Sequence, residues 1–273
     1  MTVSSSRVER IEVEPGVRLA VEAAPPSSKP VVMLSNSIGA SMTMWDEFVE
    51  RMSDKVRIVR YDTRGHGQSD VPKGPYSIDQ LGQDAEAILA ALDIQSAVFC
   101  GLSLGGLTGM WLGAARSKRV AGLILANTAA NFPPATMWQE RAAAVRTNGM
   151  QSLVGATLDR WFTKSYHTSH PDRLAELGRM VGATPAEGYA GCCEVLAAAD
   201  LKPRLANVAC PVRVICGQHD PSTPPARGEE IVASIAGSDM VVLDAAHISS
   251  VEAPDAFAEA VTQFLSRALS AAT

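Results

Sequence analysis

The sequence predicts an α/β fold: a mostly parallel sheet of eight strands, helices on both faces, and a helical segment inserted late in the chain. Three observations predict it. Short apolar runs recur along the 273 residues, with helical patterns between them. Most of these runs lack strict polar alternation, as strands buried on both faces do. One stretch of about 70 residues, 131–200, breaks the rhythm without a convincing strand and is too long for a simple crossover.

The first element reads as a hairpin. Val8 to Val13 alternates, Glu14-Pro15-Gly16 turns, and Val17 to Ala23 alternates again. Pro25-Pro26-Ser27-Ser28 then breaks the pattern. The buried runs follow: Val31–Ser35, Val56–Tyr61, Ala97–Cys100, Val120–Ala126, Val212–Cys216 and Met240–Leu243. Between Tyr61 and Ala97, Ser77 and Gln80 form a capping box, and Ile78, Leu81, Ala85, Ile88, Leu89 and Leu92 fall on one helical stripe. A second helix starts at Ser103. A third runs from about Pro225 and stops at Gly237. The last begins near Pro254 and buries Phe257, Val261, Phe264 and Leu265. Strands alternating with helices imply a parallel sheet. The expected organisation is a core of residues 1–130 and 201–273 carrying a helical cap, residues 131–200.

Composition narrows the function. Apolar residues make up 47% and charged residues 19%, as in ordinary globular proteins. Aromatics are only 5%, so Val, Leu, Ile and Ala must carry the core. The net charge is −5 and no Lys/Arg run occurs, which argues against nucleic acid and leaves a small molecule as the expected partner. No stretch nears ~18 consecutive apolar residues, so no membrane span is expected. The five cysteines are odd in number and lack CxxC spacing, which speaks against a disulfide framework or a zinc site. The N-terminus, MTVSSSRVERIEVE, is polar with no apolar signal core. A reducing cytoplasm fits these features.

Gly101-Leu102-Ser103-Leu104-Gly105 matches G-x-S-x-G. Its context carries more weight than the pattern: it follows a strand and opens a helix, as a nucleophile elbow requires. An incidental serine on a glycine-rich turn is the alternative. A serine hydroxyl needs a base, and five histidines are available: His66, His167, His170, His219 and His247. His247 lies just past the strand Met240–Leu243, where residues gather along the edge that holds the nucleophile. His66, in Asp62-Thr-Arg-Gly-His-Gly67, competes on position alone. It precedes the serine, however, and the chain order in such elbows is serine, acid, histidine. Asp220, in Gly217-Gln-His-Asp220, falls between Ser103 and His247 and follows a strand. A turn cap before Pro221 is its alternative role. The strand before the insertion ends Ala126-Asn127-Thr128, with no competing carboxylate, and Asp244 belongs to a strand end. An oxyanion needs two N–H donors. Leu104, after the nucleophile, is one. Counting back from Trp45 places the other at Ile38, in the loop Ser35-Asn36-Ser37-Ile38-Gly39.

With these residues in place, the chain resembles the 3-oxoadipate enol-lactone hydrolases, of the α/β-hydrolase superfamily. The resemblance runs through LSNSIGASMTMW (34–45), VRYDTRGHGQSDVPKGPYSI (59–78), FCGLSLGG (99–106), LANTAA (125–130), RWF (160–162), EGYAGCCEVLAAADL (187–201) and AAHISSVEAP (245–254). DTRGHG is shared widely; the SNS-(Leu/Ile)-G, EGYAGCC and AHISS-x-E pieces are narrower. The resemblance implies a triad of Ser103, Asp220 and His247, an oxyanion hole at Ile38 and Leu104, and no metal or organic cofactor. It implies a lactone bearing a carboxylate, for which Arg141, Arg160 and Lys164 are candidate partners, with Ser37 beside them and Trp138 as an apolar wall. Solvated helix faces are the alternative for each of these cations, and cap core for Trp138 and Trp161. Cys192 and Cys193 read as small buried residues. Two departures stand out: Leu104 where such enzymes often carry Met, and AAHISS where Asn often follows. Other readings are a carboxylesterase, another lactonase, a carbon–carbon hydrolase, or a binding protein that keeps the fold without turnover.

Overall fold

The computed structural model describes residues 7–270. The polar residues 1–6, part of the stretch read as lacking a signal core, lie outside the described residues.

Eight strands form one sheet: β1 (Val8–Glu14), β2 (Val17–Ala23), β3 (Val31–Ser35), β4 (Arg57–Tyr61), β5 (Ala97–Leu102), β6 (Val120–Ala126), β7 (Val212–Gly217) and β8 (Asp239–Leu243). Their order is β1-β2-β4-β3-β5-β6-β7-β8. The hairpin strand β2 runs antiparallel to both β1 and β4, and every other pairing is parallel. The fold class and all the expected strands are therefore present. One expectation about burial is not: the apolar pattern of β8 implies cover on both faces, yet Val242 is 44% exposed. The reason is position, since β8 closes the sheet with β7 as its neighbour on one side only.

The helices are α1 (Asp46–Met52), α2 (Ile78–Ala91), α3 (Leu104–Ala114), α4 (Ala135–Asn148), α5 (Val154–Trp161), α6 (Lys164–Ser169), α7 (Pro171–Gly182), α8 (Ala186–Ala198), α9 (Pro225–Ser234), α10 (Ser249–Glu252) and α11 (Pro254–Ser270). The alternating parity of β6 shows how both sheet faces are covered. Gly122 sits against Phe264 of α11, whereas Leu123 and Leu125 sit against Gly113 and Gly109 of α3. On the α11 face, Phe257 packs with Trp45 and Phe48 at ring separations of 5.7–6.0 Å. With few aromatics in the chain, this cluster and the aliphatic strands make most of the core. No helix among the described residues is long and apolar enough to cross a membrane.

The insertion leaves after β6 and returns before β7. These two strands are neighbours, so the sheet closes beneath it without a gap. Its neck is an antiparallel bridge between Asn131 and Asp200, backed by Leu201 N–H donating to Ala130 O at 2.9 Å.

The expected capping box on α2 is complete. Ser77 Oγ accepts from Gln80 N–H at 3.2 Å, and Gln80 Oε1 accepts from Ser77 N–H at 3.0 Å. We expect Ser77→Ala to lower unfolding free energy by about 1 kcal/mol in urea titrations, with catalytic rate unchanged. An unchanged midpoint would show the box to be energetically idle.

Candidate active site

The helix after β5 begins one residue later than expected, because Ser103 is not helical. Its φ of 58° and ψ of −112° lie outside the regions open to most L-residues. Surrounding contacts hold the turn. Ser103 N–H donates to Ala126 O at 2.9 Å, and the Thr128 hydroxyl donates to Ser103 O at 2.7 Å. The flanking glycines are required by contact. A Cβ on Gly101 would lie 2.1 Å from Gly105 O, and one on Gly105 would lie 2.3 Å from Ser35 O. Leu104 is the first residue of α3, so its N–H has no intrahelical acceptor.

At the ends of β7 and β8, His247 Nδ1 donates to Asp220 Oδ2 at 2.8 Å, both side chains being buried. Asp220 accepts further from Ser222 N–H at 2.8 Å, Thr223 N–H at 3.0 Å and the Thr223 hydroxyl at 2.6 Å. Burial pushes this carboxyl up. The charge and hydrogen bond of His247 and the Thr223 donors outweigh that, and hold it well below the usual carboxylate range. Asp220 is thus ionised, and His247 Nε2 remains free for proton exchange. Asp244, the nearer carboxylate in sequence, is exposed and pairs with His219 at 2.8 Å instead.

Asn127 is not acidic, and its residue type therefore offers no sign of a place beside the Asp220–His247 pair. It is buried, with φ of 44°. Its Nδ2 donates to Asp220 Oδ2 at 3.1 Å and to Ala246 O at 3.0 Å, while its Oδ1 accepts from the Ser249 hydroxyl. An amide can serve donors and acceptors together, which a carboxylate cannot. Its place one residue past β6 was the available signal.

The loop from β3 is braced on every side. Asn36 O accepts from Gly105 N–H at 3.0 Å, and the Asn36 side chain links Trp45 Nε1 to Tyr61 O. His66, the positional competitor for the base, lies fully buried behind this loop. Its Nε2 accepts from Gly39 N–H at 2.9 Å, and its Nδ1 donates to Arg64 O at 3.2 Å. Burial pulls its pKa down to about 4, against the Arg64 carbonyl that favours the cation. A neutral His66 is therefore an acceptor that fixes the residue next to Ile38.

These parts meet at a cavity of about 410 Å³. Ser103, His247, Ser37 and Ile38 line it on the sheet side, and Trp138, Arg141, Arg160 and Trp161 line it from the insertion. The Ser37 hydroxyl is buried without a partner. Arg141 lies 4.7 Å over the Trp138 ring, and Arg160 donates to Thr157 Oγ1 at 3.4 Å. Burial, then the charge of Arg141, lowers the Arg160 pKa. Neither arginine forms an ion pair among the described residues. Lys164 does not join them: it is exposed and faces a separate depression, because it sits past the Trp161–Thr163 turn. Arg227 was not anticipated; it lines the cavity but is held by Asn131 and Glu230. His167 and His170 lie away from the cavity, and Cys192 and Cys193 are buried in α8. Among the described residues no group of three or more His, Cys, Asp or Glu could hold a metal.

Comparison with known proteins gives this geometry a lineage. The family of the α/β hydrolase fold matches residues 30–254. The chain is 43% identical, over 88% of its length and 90% of the relative's, to 3-oxoadipate enol-lactonase 2 of Acinetobacter baylyi. The chain is an α/β hydrolase of the enol-lactonase family. The crystal structure of the enol-lactonase from Burkholderia xenovorans LB400 superposes on this α/β hydrolase with a TM-score of 0.91 at 42% identity, covering 94% of this chain and 99% of that one. A thermophilic esterase from Thermogutta terrifontis, at 27% identity, gives a TM-score of 0.90 over 96% of this chain and 99% of that one. Members of this family are hydrolases of lactone and ester bonds, and this chain is a hydrolase with them.

Two outcomes follow for this hydrolase. Asp220→Asn should lower kcat by about 10⁴-fold by favouring the wrong imidazole tautomer, with the fold intact; a loss under tenfold would remove Asp220 from its role. His66 adds a pH dependence. Its folded pKa of about 4 lies below the ordinary 6.5, so the unfolded chain binds the proton first as pH falls. The stability due to neutral His66 is complete above pH 6.5 and is lost between there and pH 4. That loss amounts to about 3 kcal/mol across the window. Urea titrations at several pH values should show this slope in the parent and its absence in His66→Gln.

Proposed function

We propose that this chain hydrolyses 3-oxoadipate enol-lactone to 3-oxoadipate, within β-ketoadipate degradation of aromatic compounds, through an acyl-enzyme on Ser103. One observation carries the reading. A serine on a strained turn and a histidine held by Asp220 line the same cavity as two arginines that form no ion pair among the described residues. The first set suits acyl transfer, and the second suits a substrate carboxylate. The 43% identity to an enol-lactonase supports the choice of substrate.

In this scheme His247 Nε2 takes the Ser103 proton as Oγ attacks the lactone carbonyl. The Ile38 and Leu104 N–H groups hold the oxyanion. The ring C–O bond then breaks, and the enol oxygen leaves with the proton from His247, still tethered to the acyl chain. An enol leaves more readily than an alkoxide, and its conversion to the ketone makes reversal unfavourable. Water, deprotonated by His247, attacks the acyl-enzyme, and the returned proton frees Ser103. One water is consumed and no cofactor takes part. Arg141 and Arg160 bind the carboxylate, Ser37 offers its unpaired hydroxyl, and Trp138 forms the apolar wall. Residues 131–200 serve as the cap over a core of 1–130 and 201–273. A cytoplasmic setting belongs to the same reading, since all five cysteines are free thiols.

The similarity to an esterase favours one second reading, hydrolysis of simple esters. Steady-state rates on the enol-lactone and on p-nitrophenyl esters separate the two. Ser103→Ala should abolish turnover of both, and persistence at the parental rate would sink the scheme. Arg160→Ala should raise KM for the enol-lactone at least tenfold while leaving neutral esters within about threefold, since a charged hydrogen bond contributes ~1.5–3 kcal/mol. Equal losses on both substrates would deny it a carboxylate-binding role, and faster turnover of the esters would replace the lactone as substrate.

A further inference from the structure

Glu252 ends the AHISS-x-E stretch and has no place in the scheme above. Its carboxylate joins two segments far apart in sequence. Oε2 accepts from Ala246 N–H at 2.6 Å, on the residue before His247. Oε1 accepts from Thr163 N–H at 3.0 Å and from the Thr163 hydroxyl at 2.5 Å, both on the insertion. A second link runs alongside: Trp161 O accepts from His247 N–H at 3.0 Å and from Ile248 N–H at 3.2 Å. The backbone of the histidine loop is thus fastened to the insertion segment Trp161–Thr163, and Trp161 itself lines the cavity.

We propose that Glu252 is a positioning residue that couples the helical insertion to the His247 loop, so that the insertion fixes the base against Ser103. A carboxylate is suited to this because it only accepts, with two oxygens and about four lone-pair sites. Three donors converge on it, two from one segment and one from the other. Glutamine would satisfy one side and turn its NH₂ toward a donor on the other. Glu252→Gln therefore breaks the link although it is nearly isosteric. Small displacements matter here, since a shift of ~1 Å at a reacting group costs on the order of 10²-fold in rate.

The inference rests on Ser103 and His247 as nucleophile and base, and the test separates its failure from theirs. Wild type, E252Q, E252A, T163V and E252A/T163V are compared by the rate of Ser103 labelling with a neutral fluorophosphonate and by lactone turnover. E252Q and E252A should both lose about 10- to 100-fold in labelling rate and in kcat, with KM within about threefold. T163V should lose less, because its N–H still reaches Glu252. T163V should cost less in the E252A background than in wild type, because the Thr163 hydroxyl reaches the histidine loop only through Glu252. Thr163 Oγ1 also caps α6, accepting from Tyr166 N–H at 3.3 Å, but that loss is present in both backgrounds and cancels in the comparison. Labelling of E252Q at the wild-type rate, a change in KM alone, or full additivity of T163V with E252A would overturn the proposal. If the Glu252 variants fail to fold by circular dichroism, T163V decides: an unchanged kcat overturns the coupling. A wild-type enzyme that does not label would remove the triad, and the coupling with it.

Discussion

A single backbone conformation sets the terms for everything at the rim of this sheet. Ser103 occupies φ and ψ values that cost energy, on the order of 1–3 kcal/mol. The turn persists because it is gripped at three points from the ends of β6 and β3. Ala126 of β6 takes its N–H, Thr128 holds its carbonyl, and Asn36 at the end of β3 takes the N–H of Gly105. Those grips need strand and helix backbones in near contact, which is why Gly101 and Gly105 have no room for a Cβ. The chain spends stability to lift one hydroxyl out of the strand and to aim the free N–H of Leu104 at the same spot. A relaxed turn would lose both at once.

Charge is arranged around this spot with equal economy. Asp220 is buried yet ionised, because five hydrogen-bond donors converge on its two oxygens. That saturation leaves His247 with one orientation and one tautomer. His66, equally buried, is solved the opposite way: burial without a charged partner keeps it neutral, as an acceptor for Gly39 N–H. Two imidazoles in one fold are thus held in opposite ways, one donating to a carboxylate and the other accepting from a backbone N–H. Across the cavity, Arg141 and Arg160 stand near one another without acidic partners. Both side chains are half-buried, and the charge of Arg141 disfavours that of Arg160.

Much of this was legible in the sequence because the signals were local. The six strands from β3 onward were visible as apolar runs and the β1–β2 hairpin as two alternating stretches, and Ser77 with Gln80 marked the start of α2 to the residue. Chain order and position past strand ends picked Ser103, Asp220 and His247, and the structure brings the last two into contact and places Ser103 and His247 on one cavity. What stayed hidden depends on packing between distant elements. Asn127 has no titratable group, so nothing in its own character announced that it would hold Asp220. Lys164 and Arg160 are four residues apart in one helical region, yet the turn at Phe162 sends one to the cavity and the other to solvent. The exposure of β8 followed from the order of strands, which the apolar pattern does not encode.

The place of the insertion ties these observations together. It departs from the end of β6 and returns to the start of β7, two strands already paired along their length. The ends of those same strands carry Asn127 and Asp220, so the amide that steadies the acid also closes the sheet beneath the insertion. The bridge of Asn131 with Asp200 narrows the neck to two strands of chain. A segment attached only by such a neck could swing freely, and a cavity wall that swings cannot position a substrate to a fraction of an ångström. Further contacts remove that freedom: Thr184 donates to Gly39 O, Gly188 packs against Gly65, and Trp161 and Thr163 are linked to the histidine loop. The link to the histidine loop uses backbone groups of Trp161, Thr163, Ala246, His247 and Ile248, with the Thr163 hydroxyl and the Glu252 carboxylate as its side chains, so it makes no demand on the arginines that line the cavity.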